Sequence, residues 1–169
     1  MFFAVLFYCI PFKTAGQQND SLLVQLARKW SNAKAYTLKM AELMPEPDYD
    51  FRPTPEEMSF REQLLHIAQN IQWLSTSYLL ADKKAPAIDT TLKSKATVIQ
   101  ILTAAYDIGS EAHEDFDAQQ LDKPVQFFAG TMTKRQIFIL LHDHQSHHVG
   151  QIIVYLRLKG IKPPSYVGW

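Results

Sequence analysis

Histidines are clustered in this sequence, and an imidazole can bind a metal ion or transfer a proton near neutral pH. Four of the six fall within seven residues, at His142, His144, His147 and His148. On an α-helix, positions i and i+4 lie one turn apart on the same face, with Cβ atoms about 5–6 Å apart. His144 and His148 have this spacing, so their imidazoles can share one metal ion. They also lie in phase with the apolar residues around them, which predicts that both rings point into the protein.

A third histidine, His66, repeats this situation in a separate apolar stretch that spans residues 64–68. Two interpretations compete. Each histidine can be a core residue with its own hydrogen-bond partner, or all three can share one divalent cation. Three separately buried polar groups need three sets of partners, whereas one cation satisfies them together. We therefore predict a divalent metal site at His66, His144 and His148.

The other histidines are predicted to lie on the surface. His142 and His147 point away from His144 and His148 around the helix, by about 200° and 100° respectively. His113 stands between Glu111 and Glu114, so we expect a solvated side chain there as well.

The sequence predicts four amphipathic helices, which would carry these histidines. Apolar residues recur at helical spacing in four stretches after Gln17. The first stretch follows the N-cap candidates Asn19–Ser21 and is stopped by Pro45. The second begins at the capping box Ser59-x-x-Glu62, and the fourth begins at the capping box Thr133-x-x-Gln136.

The remaining boundaries complete an all-helical prediction. The third helix is expected from about Lys93 to Asp117, and Gly160 ends the fourth. No stretch alternates convincingly as a β-strand. The predicted fold class is therefore all-α, an antiparallel four-helix bundle.

Composition limits the function classes. The chain has 169 residues with 17 basic and 17 acidic side chains, which suits one domain with one core. A nucleic-acid partner is not expected, because binding a phosphate backbone requires a basic surplus. The single cysteine, Cys9, excludes an internal disulfide and a cysteine-based zinc cluster, which leaves histidines and carboxylates as metal ligands.

The N-terminus predicts export. Met1–Phe12 is uncharged and apolar but shorter than the roughly 20 residues of a membrane-spanning helix, so no stable membrane insertion is expected. Small residues follow it, which indicates a signal peptide over residues 1–16 cleaved before Gln17, and a bundle domain over residues 17–169. The protein would then be periplasmic or secreted. The alternatives are a mis-assigned start or an N-terminal segment that is buried in the fold. In either case the protein would be cytoplasmic.

Two motifs together resemble a known family. His66 within FREQLLHIA, followed much later by H-x-x-x-H-x-G-Q from His144 to Gln151, is similar to the DinB family of four-helix bundles. The resemblance implies a three-histidine divalent metal site, which carries over to His66, His144 and His148. Family members often have arginine before the Gly-Gln pair, where this chain has Val149. We expect Gly150 to permit close helix approach beside the metal, and Gln151 to brace His148 or to pack.

Three imidazoles leave at least one coordination position open, which is typical of a catalytic metal. Zinc or nickel would fit. One hypothesis is an enzyme in which the metal lowers the pKa of a bound thiol or water. The wider superfamily includes thiol-dependent transferases and isomerases, so the resemblance implies a small-molecule substrate such as a low-molecular-weight thiol. No general base stands out, although Asp107 and Glu111 are candidates whose more natural place is a solvated face.

Two further hypotheses stay open. The protein can be a non-catalytic metal-binding stress-response module, in which case large side chains would seal the metal from solvent. It can also be a helical interaction protein that uses exposed Met40, Met44, Trp73 or Tyr78, although these positions are more simply explained as core. An open pocket that reaches the metal would favour the enzyme.

The C-terminal tail, Pro163–Trp169, is expected to fold back. Its two prolines prevent a helix, and its aromatic residues carry more apolar surface than a free tail should expose. We expect Tyr166 or Trp169 to be buried against the bundle end or at the seam of a homodimer.

Overall fold

Four helices and one β-hairpin make up the computed structural model, which describes residues 15–80, 83–91 and 94–169. The helices are α1 (Ala15–Leu43), α2 (Phe60–Leu74), α3 (Lys95–Glu114) and α4 (Lys134–Leu158). The predicted helical-bundle fold class is confirmed. Apart from Ala15 and Gly16, which open α1, the predicted signal peptide lies outside the described residues. None of the helices in the described ranges is long and apolar enough to cross a membrane.

Both predicted capping boxes are present. The Ser59 hydroxyl accepts the Glu62 N–H at 3.3 Å, and the Glu62 carboxylate accepts the Ser59 N–H at 2.6 Å. Thr133 and Gln136 make the same pair of bonds at 3.2 Å and 2.8 Å. These caps fix where α2 and α4 begin, and therefore which face of each helix the histidines occupy.

Helix α1 begins earlier than predicted. Its first residue is Ala15, so the N-cap candidates Asn19–Ser21 lie inside the helix. The Ser21 hydroxyl accepts a bond at 3.2 Å from the side chain of Gln25, one turn on. Alanine and glutamine favour helix, so nothing in the preceding residues forces a start at the polar triplet.

A β-hairpin joins α3 to α4, and the prediction that no stretch forms a strand is wrong. Strands β1 (Pro124–Phe127) and β2 (Gly130–Thr133) pair antiparallel, with Phe127 opposite Gly130. Four residues are too few for alternation to be recognised in a sequence. Gly130 has φ +121°, a conformation that other residues rarely adopt, and this permits the tight connection.

The helices pack as antiparallel pairs, α2 with α4 and α1 with α3. Helix α2 ends in one wider turn, Ser75–Leu79, after which the chain returns along the bundle. In this return the Gln72 side chain donates to the Pro86 carbonyl at 2.6 Å, and Lys95 then donates to the Met44 carbonyl at 2.8 Å. Helix α3 therefore starts beside the end of α1 and runs in the same direction as α2.

The close approach that a glycine permits lies between α1 and α3. A Cβ added at Gly109 would lie 2.3 Å from the Trp30 ring, whose N–H donates to the Tyr106 carbonyl at 3.1 Å. At Gly150 an added Cβ would meet no atom of the described chain within 4 Å. The expectation that Gly150 permits close approach to another helix of the same chain is therefore wrong.

Trp73 is not the core residue that the sequence predicts. Met40 and Met44 are buried as expected, but Trp73 is 38% exposed and packs against the hairpin residues Phe127 and Phe128. Trp73 therefore lies on the part of α2 that faces the hairpin, which covers its ring only in part.

The tail folds back without burying its aromatic rings. Tyr166 and Trp169 are 70% and 65% exposed, so the expectation that one of them is buried in the chain is wrong. The Asn32 side chain donates to the Trp169 carbonyl, and the Tyr166 ring meets the Tyr36 ring edge-on at 6.2 Å. The tail is therefore held by a backbone hydrogen bond and an edge-on ring contact rather than by burial of its aromatic rings.

Candidate metal centre

The structure brings His66, His144 and His148 together between α2 and α4. One nitrogen from each imidazole can be chosen so that all three lie within 4.8 Å of one another. His148 is buried, while His66 and His144 are half-buried. The antiparallel packing of α2 on α4 places His66 opposite the i, i+4 pair, so two helices supply three ligands.

The spacing of these nitrogens suits a transition-metal ion. The Nε2 atoms of His66 and His144 are 3.2 Å apart. Two nitrogens bound at 2.0–2.1 Å in a tetrahedral site lie about 3.3–3.4 Å apart, so this pair needs little adjustment. The three ring centroids are 4.5 to 5.0 Å apart. The donor set therefore fits a divalent cation that prefers imidazole ligands.

Burial keeps these imidazoles neutral, which is the form that binds metal. Removal from water lowers the pKa of His144 to about 4, and the neighbouring His66 lowers it further in the same direction. The pKa of His148 also falls to about 4, first through burial and then through His144 and His66. Burial lowers the pKa of His66 as well. At neutral pH no proton competes for the three ligand nitrogens.

Gln63 orients His148. Its side-chain oxygen accepts a hydrogen bond from His148 Nδ1 at 2.6 Å, which places the proton on Nδ1 and leaves Nε2 free for a metal. The Gln63 amide nitrogen donates to Gln151, and the Gln151 amide nitrogen lies 3.0 Å from His147 Nε2. Gln151 thus braces His148 through Gln63 rather than directly.

A cleft of about 360 Å³ opens onto His66. Its other walls include Leu65, Gln69 and Thr90, with the Arg52–Glu62 ion pair at its rim. The cleft therefore reaches His66 from one side of the bundle, whereas His144 and His148 are not among the residues that line it.

A second pair of histidines contradicts two surface predictions. His113 is 3% exposed and His142 is 2% exposed, so neither is solvated as expected. Their Nε2 atoms are 3.0 Å apart, and the Trp30 ring stacks on His113 at 5.0 Å. Helix α4 contacts both α1 and α2, so more of its circumference is buried than a single apolar face suggests. His147 is exposed, as predicted.

The hydrogen bonds assign the protons in this second pair. His113 Nδ1 lies 2.6 Å from the Gly109 carbonyl, which can only accept, so Nδ1 carries the proton. His113 Nε2 is then the acceptor, and His142 Nε2 donates to it. His142 Nδ1 is left as a buried acceptor without a hydrogen-bond partner among the described residues.

The general-base candidates are engaged elsewhere. Asp107 pairs with Lys34 and Glu111 pairs with Lys83, which places both carboxylates in ion pairs on α3.

Sequence reasoning missed Gln63, although a signal was available. It lies three residues before His66 and so shares that face of α2.

The protein is thus a helical bundle with a three-histidine group that could hold a metal ion. The DinB family model matches residues 16–168, and the chain belongs to the DinB family. The predicted resemblance is thereby confirmed, and the histidine cluster fits a metal-binding member of this family.

Individual relatives are distant. The chain is 23% identical over 140 residues to the uncharacterized protein YjoA of Bacillus subtilis (strain 168), covering 80% of this chain and 90% of that one. The crystal structure of YjoA, a DinB-like protein, has a TM-score of 0.69 and 19% identity, covering 84% of this chain and 96% of that one. A DinB-like protein from Bacillus cereus ATCC 10987 gives a TM-score of 0.73 at 19% identity, covering 84% and 95%. At these identities the structural likeness shows the fold alone.

Proposed function

We propose that this protein is a metal-dependent enzyme of the thiol-transferase or hydrolase type, with a divalent cation held by His66, His144 and His148. Zinc or nickel is the proposed metal, because both accept imidazole ligands at this spacing. The observation that carries the proposal is the cleft that reaches His66, because a structural metal would not need access from solvent.

A divalent cation in this site would lower the pKa of a bound thiol or water, and so supply a nucleophile near neutral pH. The chain's own contribution is to hold three neutral imidazoles in place. Gln63 keeps the proton of His148 on Nδ1. The hydrogen bond thereby prevents the ring from turning its protonated edge toward His66 and His144. The cleft offers a small molecule such as a low-molecular-weight thiol a path to His66.

Polar groups at the cleft rim would orient such a substrate. Gln69 and Thr90 can donate and accept hydrogen bonds, while Leu65 contributes an apolar wall. Arg52 is paired with Glu62 at 3.1 Å, so its charge is largely offset. The exposed carboxylates of Glu56 and Glu57 also line the cleft, so its walls carry a net negative charge that disfavours an anionic substrate.

Metal analysis of the purified protein is the first test. We expect about one divalent ion per chain, lost when both His144 and His148 are replaced by alanine. Asp143→Ala is the control, because Asp143 lies on the same helix but is exposed. Full occupancy in the His144→Ala/His148→Ala variant would contradict the assignment.

Cobalt substitution separates an enzyme from a non-catalytic module. The visible spectrum of the cobalt-loaded protein should change when a small thiol is added, because an open coordination position lets the thiol bind. A spectrum that stays constant with excess thiol and with excess imidazole would indicate a closed structural site. That result would favour the non-catalytic metal-binding module.

A further inference from the structure

Asn70 carries a buried oxygen that no group in the described part of the chain satisfies. Its side-chain Oδ1 is shielded from water and has no hydrogen-bond partner among the described residues. A buried oxygen without a donor lowers stability, so native proteins retain one only where it has a role. Asn70 lies one helical turn after His66 on α2, which places the oxygen beside the metal centre.

The direction of Asn70 around α2 is that of the residues that contact the histidines of α4. Asn70 lies about 40° around the helix from His66, and Gln63 lies about 60° from His66 in the same direction. The Gln63 oxygen accepts from His148 Nδ1 at 2.6 Å, and His66 Nε2 lies 3.2 Å from His144 Nε2. Asn70 lies between these two directions, so it also faces α4.

The antiparallel packing of α2 and α4 determines which α4 residues lie level with Asn70. Gln63 forms hydrogen bonds with His148 and Gln151. Asn70 follows Gln63 by seven residues, or two helical turns, so the residues level with it come seven places earlier in α4. Those two residues are Leu141 and His144. Leucine has no polar group, which leaves His144 as the polar partner.

Coordination through Nε2 determines where the imidazole protons lie. The Nε2 atoms of His66 and His144 face each other, so both must be unprotonated to share a cation, and each proton then lies on Nδ1. Metal-bound imidazoles usually donate this second N–H to a carbonyl or carboxylate oxygen. For His148 that oxygen belongs to Gln63. Within the described ranges, neither His66 Nδ1 nor His144 Nδ1 has such an acceptor.

Solvent access distinguishes these two imidazoles. His66 lines the cleft, so water can accept from its Nδ1–H. His144 is not among the residues that line the cleft. His144 therefore needs an acceptor from the protein, and the unpaired Oδ1 of Asn70 lies at its level of the bundle.

We propose that Asn70 is a positioning residue for His144, with its Oδ1 accepting the Nδ1–H of that imidazole in the metal-loaded protein. The two side-chain amides of α2 then orient the two α4 histidines from opposite ends of the metal centre, Gln63 acting on His148 and Asn70 on His144. The inference rests on the proposed metal site, because coordination through Nε2 is what puts the proton on Nδ1.

Two substitutions of similar size separate a hydrogen bond from packing. Asn70→Leu removes the acceptor and should weaken zinc binding about 10- to 100-fold in a chelator competition. Asn70→Asp keeps an acceptor oxygen and should bind zinc at least as tightly as the original chain, to within about threefold. If Asn70 only filled space, leucine would preserve zinc binding and the buried charge of aspartate would weaken it. Gln69→Leu, on the exposed side of the same helix, is the control and should leave the affinity unchanged.

Proton NMR of the zinc-loaded full chain gives a second readout that packing alone would not change. The Nδ1–H of His144 should exchange slowly with water in the original chain and in Asn70→Asp, and rapidly in Asn70→Leu, with circular dichroism as the check that each variant is folded. Rapid exchange in the original chain, or equal zinc affinity of the original and Asn70→Leu, would overturn this inference alone. Absence of zinc binding in the original chain would overturn the proposed function and this inference with it.

Discussion

Mild acid should destabilise this protein through the buried pair of His113 and His142. Burial lowers the pKa of His113 from 6.5 to about 4, against a smaller opposing effect of its bond to Gly109. Burial also lowers the pKa of His142 to about 3, and the neighbouring His113 contributes in the same direction. Below pH 6.5 the unfolded chain therefore takes up protons that the folded chain cannot accept. Stability is at its full value above the unfolded pKa and falls as the pH drops from about 6.5 toward 4.

The expected loss follows from the width of this window. Each histidine that titrates only in the unfolded state costs about 1.4 kcal/mol of stability per pH unit below its unfolded pKa. From about pH 6.5 to pH 5 this amounts to about 2 kcal/mol for each of the two, or about 4 kcal/mol together. A typical domain has a free energy of unfolding of roughly 5–15 kcal/mol, so a loss of this size is a large part of it.

Urea unfolding at about pH 7 and about pH 5 measures this loss in the metal-free protein. His66, His144 and His148 also have lowered pKa values, so the comparison must be with a His113→Leu/His142→Leu variant that retains them. The variant should lose about 4 kcal/mol less than the original chain over this interval. An equal loss in both proteins would show that the pair does not resist protonation and would refute the reasoning.

Four further predictions can be tested. Gln63→Leu should weaken metal binding about 10- to 100-fold in a chelator competition, because His148 loses its orienting acceptor, whereas Gln69→Leu on the exposed side of the same helix should not. Gly109→Ala should destabilise the fold by about 1–3 kcal/mol in thermal unfolding, because its Cβ would overlap an indole ring. Deleting residues 166–169 should change stability by less than about 1 kcal/mol, because the lost rings are mostly exposed, and a melting temperature lower by many degrees would contradict this. Mass spectrometry of protein from the native cell should find a mature N-terminus at Gln17, and an intact Met1 in a soluble cytoplasmic fraction would argue against export.

Local signals in the sequence were enough to predict the helical framework. The capping boxes at Ser59 and Thr133 each lie within four residues, so their geometry depends on no other part of the chain. The hairpin could not be found in this way, because its strands are short and are stabilised only by pairing with each other. The start of α1 was misplaced because polar residues suit an N-cap without requiring one.

Within the metal centre, spacing inside one helix was more informative than any property of a single residue. The four-residue interval from His144 to His148 places both on the same side of α4 wherever that helix packs. Gln63 gave only a weaker signal, its place three residues before His66, because its role depends on the distance between α2 and α4. Packing between the two helices sets that distance, so the sequence of neither helix determines it alone.

The misassigned histidines show how a bundle can hold two imidazole groups of different chemistry a few residues apart. His142 lies about 160° around α4 from His144, and both directions are buried because α4 packs against more than one helix. In the His113–His142 pair, the Gly109 carbonyl accepts from His113 Nδ1. His113 Nε2 is therefore unprotonated and accepts a hydrogen bond from His142 Nε2. No third histidine, cysteine or carboxylate among the described residues joins them in a possible metal-binding group. In the metal centre, Gln63 accepts from the outward nitrogen of His148 and leaves the other nitrogen facing its two neighbours. The facing nitrogens of His66 and His144 also lie within hydrogen-bond distance, at 3.2 Å, so the third imidazole distinguishes the metal centre from the buried pair.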